Sequence, residues 1–176
     1  DLHLSADGVL VCIHDATLDR TTDGSGPVAA KTLAQIKQLN AAKGWSALAP
    51  MQVPTLAELA AILPADRALA LELKTDRFLE APVCRQLAAA LEQYGIRQRC
   101  VVLSFSLARI QAVKAAAADI PIGLITATRY WPVQGMEMIG PFWPLAVVNP
   151  FYAWLAHRRG QFFCPLDPTP DKRLWY

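Results

Sequence analysis

The sequence predicts an α/β fold in which a parallel sheet is covered by helices. Three observations carry that prediction. From residue 68 onward, apolar segments of four to six residues alternate with longer segments of helical period, the pattern that parallel strands and crossover helices leave in a sequence. Apolar residues make up 53% of the 176-residue chain and charged residues 18%, which supplies a large core and argues against disorder. No repeat, low-complexity tract or linker interrupts the pattern, so residues 1–176 read as one domain. An open doubly wound sheet and a barrel lacking end units both fit about six such strands.

The elements follow in order. Residues 1–4 and 9–13 read as short strands, and Asp7-Gly8 between them is a hairpin signal. Residues 15–26 are polar, end in Thr-Thr-Asp-Gly-Ser-Gly and read as a loop. Thr32 is placed to cap a helix with Leu33, Ile36 and Leu39 on its apolar face. Thr55 opens another, with Glu58 three residues on as in a capping box. A strand at 68–73 precedes a helix at 78–94 that Gly95 ends, and a strand at 100–103 precedes an alanine-rich helix at 106–118. Further strands are predicted at 120–125 and 145–148, each with a helical candidate behind it, and at 161–164; the second of those helices begins at Phe151 and stops at Gly160.

Bulk properties exclude several functions. A formal charge of +2 is too small to make nucleic acid or an anionic membrane the main partner. Cys12, Cys84, Cys100 and Cys164 fall in no paired spacing, so they read as small apolar residues rather than a disulfide framework or zinc site. That usage favours a reducing compartment, cytoplasm over periplasm. Residues 138–156 carry no charge and approach the length of a membrane span. Pro141, Pro144, Asn149 and Pro150 would break such a helix repeatedly, so no transmembrane segment is expected.

Two constellations could do chemistry. With a two-residue turn at Asp7-Gly8, Ala6 pairs with Val9 and, counting back, Asp1 with His14. Opposed residues share a face with Cβ atoms about 5 Å apart, so a carboxylate and an imidazole would stand side by side. A loop one residue longer spoils the match, and a plain surface pair is the alternative. In Leu71-Glu72-Leu73-Lys74 the two charges share one face of a strand. At the carboxyl end of a barrel strand, a carboxylate can hold a divalent cation and a lysine can neutralise a phosphate oxygen. A simple Glu–Lys ion pair is the alternative.

Read together, these segments resemble the glycerophosphodiester phosphodiesterase family. Residues 1–22, Asp-Leu-His-Leu-Ser-Ala-Asp-Gly-Val-Leu-Val-Cys-Ile-His-Asp-Ala-Thr-Leu-Asp-Arg-Thr-Thr, are similar to a family stretch in which an E-x-D pair leads into a hairpin, a His-Asp and an L-x-R-T-T loop. The resemblance continues through Val53-Pro54-Thr55-Leu56, Glu58-Leu59, Leu71-Glu72-Leu73-Lys74 and Leu103-Ser104-Phe105. It is weaker at Asn149-Pro150 and at residues 156–160.

The resemblance implies a TIM (β/α)8 barrel, incomplete at both ends, with a small hairpin and loop insertion after its second strand. It implies hydrolysis of a small-molecule glycerophosphodiester to glycerol 3-phosphate and an alcohol, with one divalent cation, Mg²⁺ or Ca²⁺. By motif, Asp1 would be the second carboxylate of E-x-D and a metal ligand, and Glu72 another ligand. His14 would be one of two catalytic histidines, and Lys74 would contact phosphate. Oxygen ligands suit a hard cation, cation and lysine stabilise charge on phosphorus, and an imidazole can shuttle a proton near neutrality. The other histidine, in an H-R-G motif, and the E-x-D glutamate belong ahead of Asp1, so the chain reads as a fragment.

Some residues depart from the pattern. Phe163-Cys164-Pro165-Leu166-Asp167 stands where the family has a V-W-T-V-N-like strand whose tryptophan lines the substrate pocket. The family's last strand, ending in T-D, has no counterpart, and residues 126–141 match nothing in it. Two other functions are therefore carried forward: a related barrel enzyme acting on lysophospholipid or sphingolipid head groups, and a family member that binds phosphodiesters without turnover. His157 reads as a solvated last-turn cation, Asp15 and Arg20 as braces of a loop, and Ser104 as a structural hydrogen bonder. His3 is a lesser candidate for a substrate contact, and Trp143, Trp154 and Trp175 read as core or rim.

Overall fold

A computed structural model describes residues 1–44 and 50–167; Trp175 lies outside them. Leu2–Leu4 (β1) and Leu10–Cys12 (β2) form an antiparallel hairpin that pairs Leu2 with Cys12, His3 with Val11 and Leu4 with Leu10. This register is one residue off the predicted one. Ser5 N–H donates to the Val9 carbonyl at 3.0 Å and Gly8 N–H to the Ser5 carbonyl at 3.0 Å, so the loop is Ala6-Asp7-Gly8 rather than Asp7-Gly8. Gly8 closes it at φ +80, the left-handed residue that a three-residue hairpin loop requires. The Asp7 carboxylate selects the longer loop, accepting from Ser5 Oγ at 2.6 Å and from Leu33 N–H at 2.9 Å. A dipeptide signal does not contain that second contact. Asp1 is consequently not opposite His14.

The main sheet has five parallel strands in chain order: Leu69–Glu72 (β3), Cys100–Ser104 (β4), Ile122–Thr126 (β5), Met138–Pro141 (β6) and Phe162–Phe163 (β7). β1 extends it on the open side of β3 through a parallel bridge between Leu2 and Leu73, with Lys74 N–H donating to the Leu2 carbonyl at 3.2 Å. Parallel strands therefore follow one another in sequence order from β1 to β7, apart from the hairpin partner β2. A doubly wound sheet reverses its order at a switch point; this one does not. It is an arc of a (β/α)8 barrel.

Local chemistry explains most of the helices. Thr32 and Gln35 form a capping box that starts Leu33–Lys37 (α1), and Thr55 and Glu58 form the one predicted for Leu56–Ile62 (α2). The helix predicted at 78–94 begins as a short 3-10 turn and becomes α-helical only at Ala81–Gln93 (α3), where Pro82 sits in the first turn. Ser106 accepts from Arg109 N–H to start Leu107–Ala116 (α4). Trp143–Val148 (α5) and Phe151–Arg158 (α6) follow β6.

Two predicted elements are corrected here. Residues 145–148 are helix α5, not a strand, because an apolar run has no periodicity to separate the two and Pro144 fits a first helical turn, where its missing N–H is not needed. The strand is instead β6, ahead of the predicted one. Gly140 belongs there because a Cβ would stand 3.0 Å from the Cys164 carbonyl of the adjacent strand segment. The crossover from β5 to β6, residues 127–137, contains no helix. None of the described helices is long and apolar enough to cross a membrane.

The faces of the barrel strands are set by burial. Leu2, Leu4, Leu71, Leu73 and Val102 pack with Phe78, Leu87 and Leu91 under the helices. Ile122, Leu124 and Ile139 pack with Ile110, Tyr152 and Ala156. The insertion after β2 has its own small core of Val11, Ile13, Leu18, Val28, Ile36 and Val53. The alternate strand positions, Asp1, His3, Glu72, Lys74, Leu103, Gly123 and Ile125 among them, therefore line the inside of the arc. Cys84 and Cys100 are buried and Cys12 is half-buried, as predicted for small apolar residues, whereas Cys164 is exposed. Burial pushes the Cys100 thiol up to about 11.

Candidate active site

The bridge from Leu2 to Leu73 places Asp1 next to Glu72 on neighbouring parallel strands, both facing inward. Lys74, two residues beyond β3 and on the same face as Glu72, ties them together. Its Nζ is 3.3 Å from Asp1 Oδ1 and 2.8 Å from Glu72 Oε1, and the Lys74 and Glu72 side chains are only 17% and 18% exposed. His14, two residues beyond β2, completes the group, with Nε2 3.5 Å from the same ammonium. All four predicted site residues thus converge. The route differs from the predicted one: Asp1 and His14 meet through Lys74, not as a cross-strand pair. Lys74, predicted to face phosphate, is bound to two carboxylates.

The imidazole of His14 is oriented from behind. Nδ1 is 2.7 Å from Asp15 Oδ1, and Arg20 grips the same carboxylate through Nε at 2.6 Å and Nη2 at 2.8 Å. A carboxylate on Nδ1 fixes the proton there and leaves Nε2 as an acceptor toward Lys74. The Arg20 guanidinium, and then the His14 bond, hold the Asp15 carboxyl well below the usual carboxylate range. His3 is buried beside the site, and its Nε2–H donates to the His14 carbonyl at 3.4 Å. Burial keeps the His3 imidazole below its ordinary 6.5, and its bond to the His14 carbonyl ties the ring to the His14 backbone.

The strand end under Lys74 is braced as well. The Leu73 carbonyl accepts from Ser104 Oγ at 3.0 Å and from Arg109 Nη1 at 3.0 Å, while Arg109 Nη2 also reaches Asp76 Oδ1 at 2.7 Å. Ser104 is structural, as predicted. Asp15 and Arg20, predicted as braces of the loop, hold His14 instead, a role the His-Asp dipeptide could have signalled; that of Arg109 was not legible, since its partners lie 33 and 36 residues away. His157 and Trp154 are exposed on α6, and Trp143 lies at the rim.

Continuing around the mouth, an apolar cavity of about 270 Å³ is lined by Phe105, Ala127, Phe142 and Leu166. These residues follow β4, β5, β6 and β7. The carboxyl rim is therefore charged on β1 and β3 and apolar on the later strands.

With this geometry in view, the chain matches the glycerophosphoryl diester phosphodiesterase family over residues 1–154. The chain belongs to that family. All four site residues fall inside the match, and the altered strand at 163–167 falls outside it. A glycerophosphodiester phosphodiesterase of Caldanaerobacter subterraneus subsp. tengcongensis is 35% identical over 127 residues, covering 71% of this chain and 52% of the relative. The chain spans about half the length of the curated relatives it matches. The crystal structure of a glycerophosphodiester phosphodiesterase from Agrobacterium tumefaciens is similar, with a TM-score of 0.81 at 27% identity over 97% of this chain and 74% of that one. An Oleispira antarctica phosphodiesterase, solved in complex with the product sn-glycerol-3-phosphate, shares the fold, with a TM-score of 0.75 at 23% identity over 95% and 70% of the two chains.

Proposed function

We propose that this chain carries the phosphate-binding and proton-transfer side of a phosphodiesterase that hydrolyses glycerophosphodiesters to glycerol 3-phosphate and an alcohol. The observation that supports it is the meeting of Asp1, Glu72 and His14 around one cation at the carboxyl rim of a barrel. sn-Glycerol 3-phosphate, the product bound by the Oleispira protein, is the product this reading expects.

A divalent cation, Mg²⁺ or Ca²⁺, fits the donors. Two carboxylates aim at one point, which an ammonium takes here, and hard oxygen ligands suit these ions. Among the described residues no cluster of three or more His, Cys, Asp or Glu side chains is arranged for a metal. Asp1 and Glu72 would therefore share the ion with water or phosphate oxygens, or with the glutamate that the family motif places before Asp1, and Mg²⁺ is commonly bound that way. The ion would supply Lewis-acid stabilisation of charge on the phosphoryl group.

The chain's own residues do the rest. Freed from the two carboxylates, Lys74 neutralises a phosphate oxygen. His14 Nε2 takes or returns the proton at the attacking or leaving oxygen, whether that oxygen is water or the substrate's own glycerol hydroxyl. Asp15 keeps Nδ1 protonated throughout.

The test is release of glycerol 3-phosphate by the full-length protein across soluble glycerophosphodiesters, with Mg²⁺, Ca²⁺ or EDTA. Turnover that survives EDTA would sink the metal; binding of the diester without turnover under any ion would sink hydrolysis in favour of a non-catalytic binder. One observation favours a second substrate class. The apolar wall of Phe105, Ala127, Phe142 and Leu166 suits the acyl chain of a lysophospholipid, and faster turnover of lysophospholipid than of short diesters would establish it.

A further inference from the structure

Residues 127–137 leave the carboxyl end of β5, and residues 142–151 leave that of β6, so both emerge at the end of the barrel where Lys74 and Glu72 stand. Two contacts join them, one near each end of α6. Asn149 Nδ2 donates to the Tyr130 carbonyl at 2.6 Å, and Arg159 donates to the Pro132 carbonyl. Tyr130, Trp131, Val148, Asn149, Pro150 and Phe151 line one shared cavity of about 490 Å³. The surface around it is unusually apolar for an exposed site: Tyr130, Trp131, Val147, Val148 and Phe151 are all more than half exposed. Trp154, also more than half exposed, continues the patch one turn along α6.

The charges that border the apolar patch are arginines. Residues 138–166 contain no Asp or Glu but include Arg158 and Arg159, and Arg129 lies on the adjoining loop. The two acids that flank this stretch are Glu137, which is bound by Lys114 at 2.6 Å, and Asp167. The Arg158 guanidinium lies 5.0 Å from the Trp154 ring centroid, so the cation and the aromatic form one surface. The whole-chain charge of +2 conceals this, because the acids are concentrated elsewhere.

Tryptophan and tyrosine interleaved with arginine is the composition that settles at the boundary between lipid headgroups and acyl chains. An exposed apolar patch of this kind marks an interaction site rather than a random surface. A second copy of the chain is disfavoured on it, because a two-fold contact would set the same arginine-bearing face against itself. We propose that this face docks the protein on an anionic phospholipid bilayer, with Tyr130, Trp131 and Phe151 at headgroup depth and Arg129 and Arg158 against anionic headgroups. The proposal does not depend on the phosphodiesterase reading, since it concerns binding and not turnover.

The experiment is co-sedimentation of the full-length protein with phosphatidylcholine vesicles, with and without phosphatidylglycerol, at rising salt. Binding to the phosphatidylglycerol vesicles that weakens with salt is expected. Trp131→Ala with Phe151→Ala lowers the partition coefficient about tenfold or more, and Arg129→Gln or Arg158→Gln lowers it about fivefold each. Circular dichroism and turnover of a soluble diester stay at wild-type values in these variants, which separates a docking defect from misfolding or a failed active site. Failure to bind phosphatidylglycerol vesicles overturns the proposal. So does equal binding by the double variant, or self-association that the double variant loses without any vesicle binding.

Discussion

Asp15→Asn tests the active-site reading at the point where the geometry is most specific. The substitution keeps the size of the side chain and removes the charge that accepts from His14 Nδ1 at 2.7 Å. An amide can turn its nitrogen toward the ring, which favours the tautomer with the proton on Nε2 and blocks that atom as a proton acceptor. The effect is held down by exposure: the His14 side chain is 64% exposed and that of Asp15 24%, so water competes for both. The expected loss in kcat is therefore roughly tenfold, the low end for a residue that orients a functional histidine. His14→Ala should cost at least about 10²-fold. KM should change little, because Asp15 touches no part of the substrate in this reading. The assay is steady-state release of glycerol 3-phosphate by the two single variants and the double variant. Since Asp15 acts through His14, adding Asp15→Asn to His14→Ala should cost nothing further. Multiplying losses would refute the orientation argument, as would a wild-type kcat for Asp15→Asn.

Three other outcomes follow from the same contacts. Lys74→Met leaves Asp1 and Glu72 facing each other without their shared ammonium, so thermal stability should fall in EDTA and the rise on adding Mg²⁺ or Ca²⁺ should exceed that of wild type; an unchanged metal response in thermal unfolding would show that the two carboxylates are not the ligands. Glu58 is held below its ordinary 4.5, first by the Lys37 ammonium and then by Thr55 N–H. A depressed carboxyl stabilises the fold above its unfolded pKa and loses that contribution as pH falls, so the stability gap between wild type and Glu58→Gln should be full at pH 7 and shrink below about 4.5. Gly8→Ala forces a Cβ into a residue at φ +80 and should cost about 1 kcal/mol in denaturant unfolding without altering kcat.

The parts of the fold legible in the sequence are those with a local cause. Thr55 and Glu58 announce α2 because a capping box is complete within four residues, and Glu72 and Lys74 announce a shared face because strand residues alternate. The parts that were not legible depend on distant partners. The hairpin register turns on Asp7 accepting from Leu33 N–H, 26 residues on. β6 is a strand because Gly140 lets the chain run close to Cys164, which no window around residue 140 contains. Asp1 and His14 converge despite the shifted register because Lys74, just beyond the end of β3, does the joining.

The division of the rim follows from register alone. Across the parallel strands, Asp1 and Glu72 align with Leu103, Gly123, Met138 and Phe162, and all of these positions face inward. One position further, Lys74 is followed by Phe105, Ile125 and Gly140. Every charge in these two rings lies on β1 and β3, and none on β4 to β7. Each strand step is about 4.8 Å, so the carboxylates and the lysine lie within one step of each other, and the first apolar wall begins one step beyond. A phosphodiester has the same polarity, a charged phosphorus with an alcohol extending from it. In the proposed reading, a phosphate held at the Asp1–Glu72–Lys74 side would project one of its two alcohols toward Phe105 and Phe142. Extending charge onto the neighbouring strand by Leu103→Asp would remove the boundary that sets this orientation. It would also place a third carboxylate beside Glu72 with no ammonium to spare.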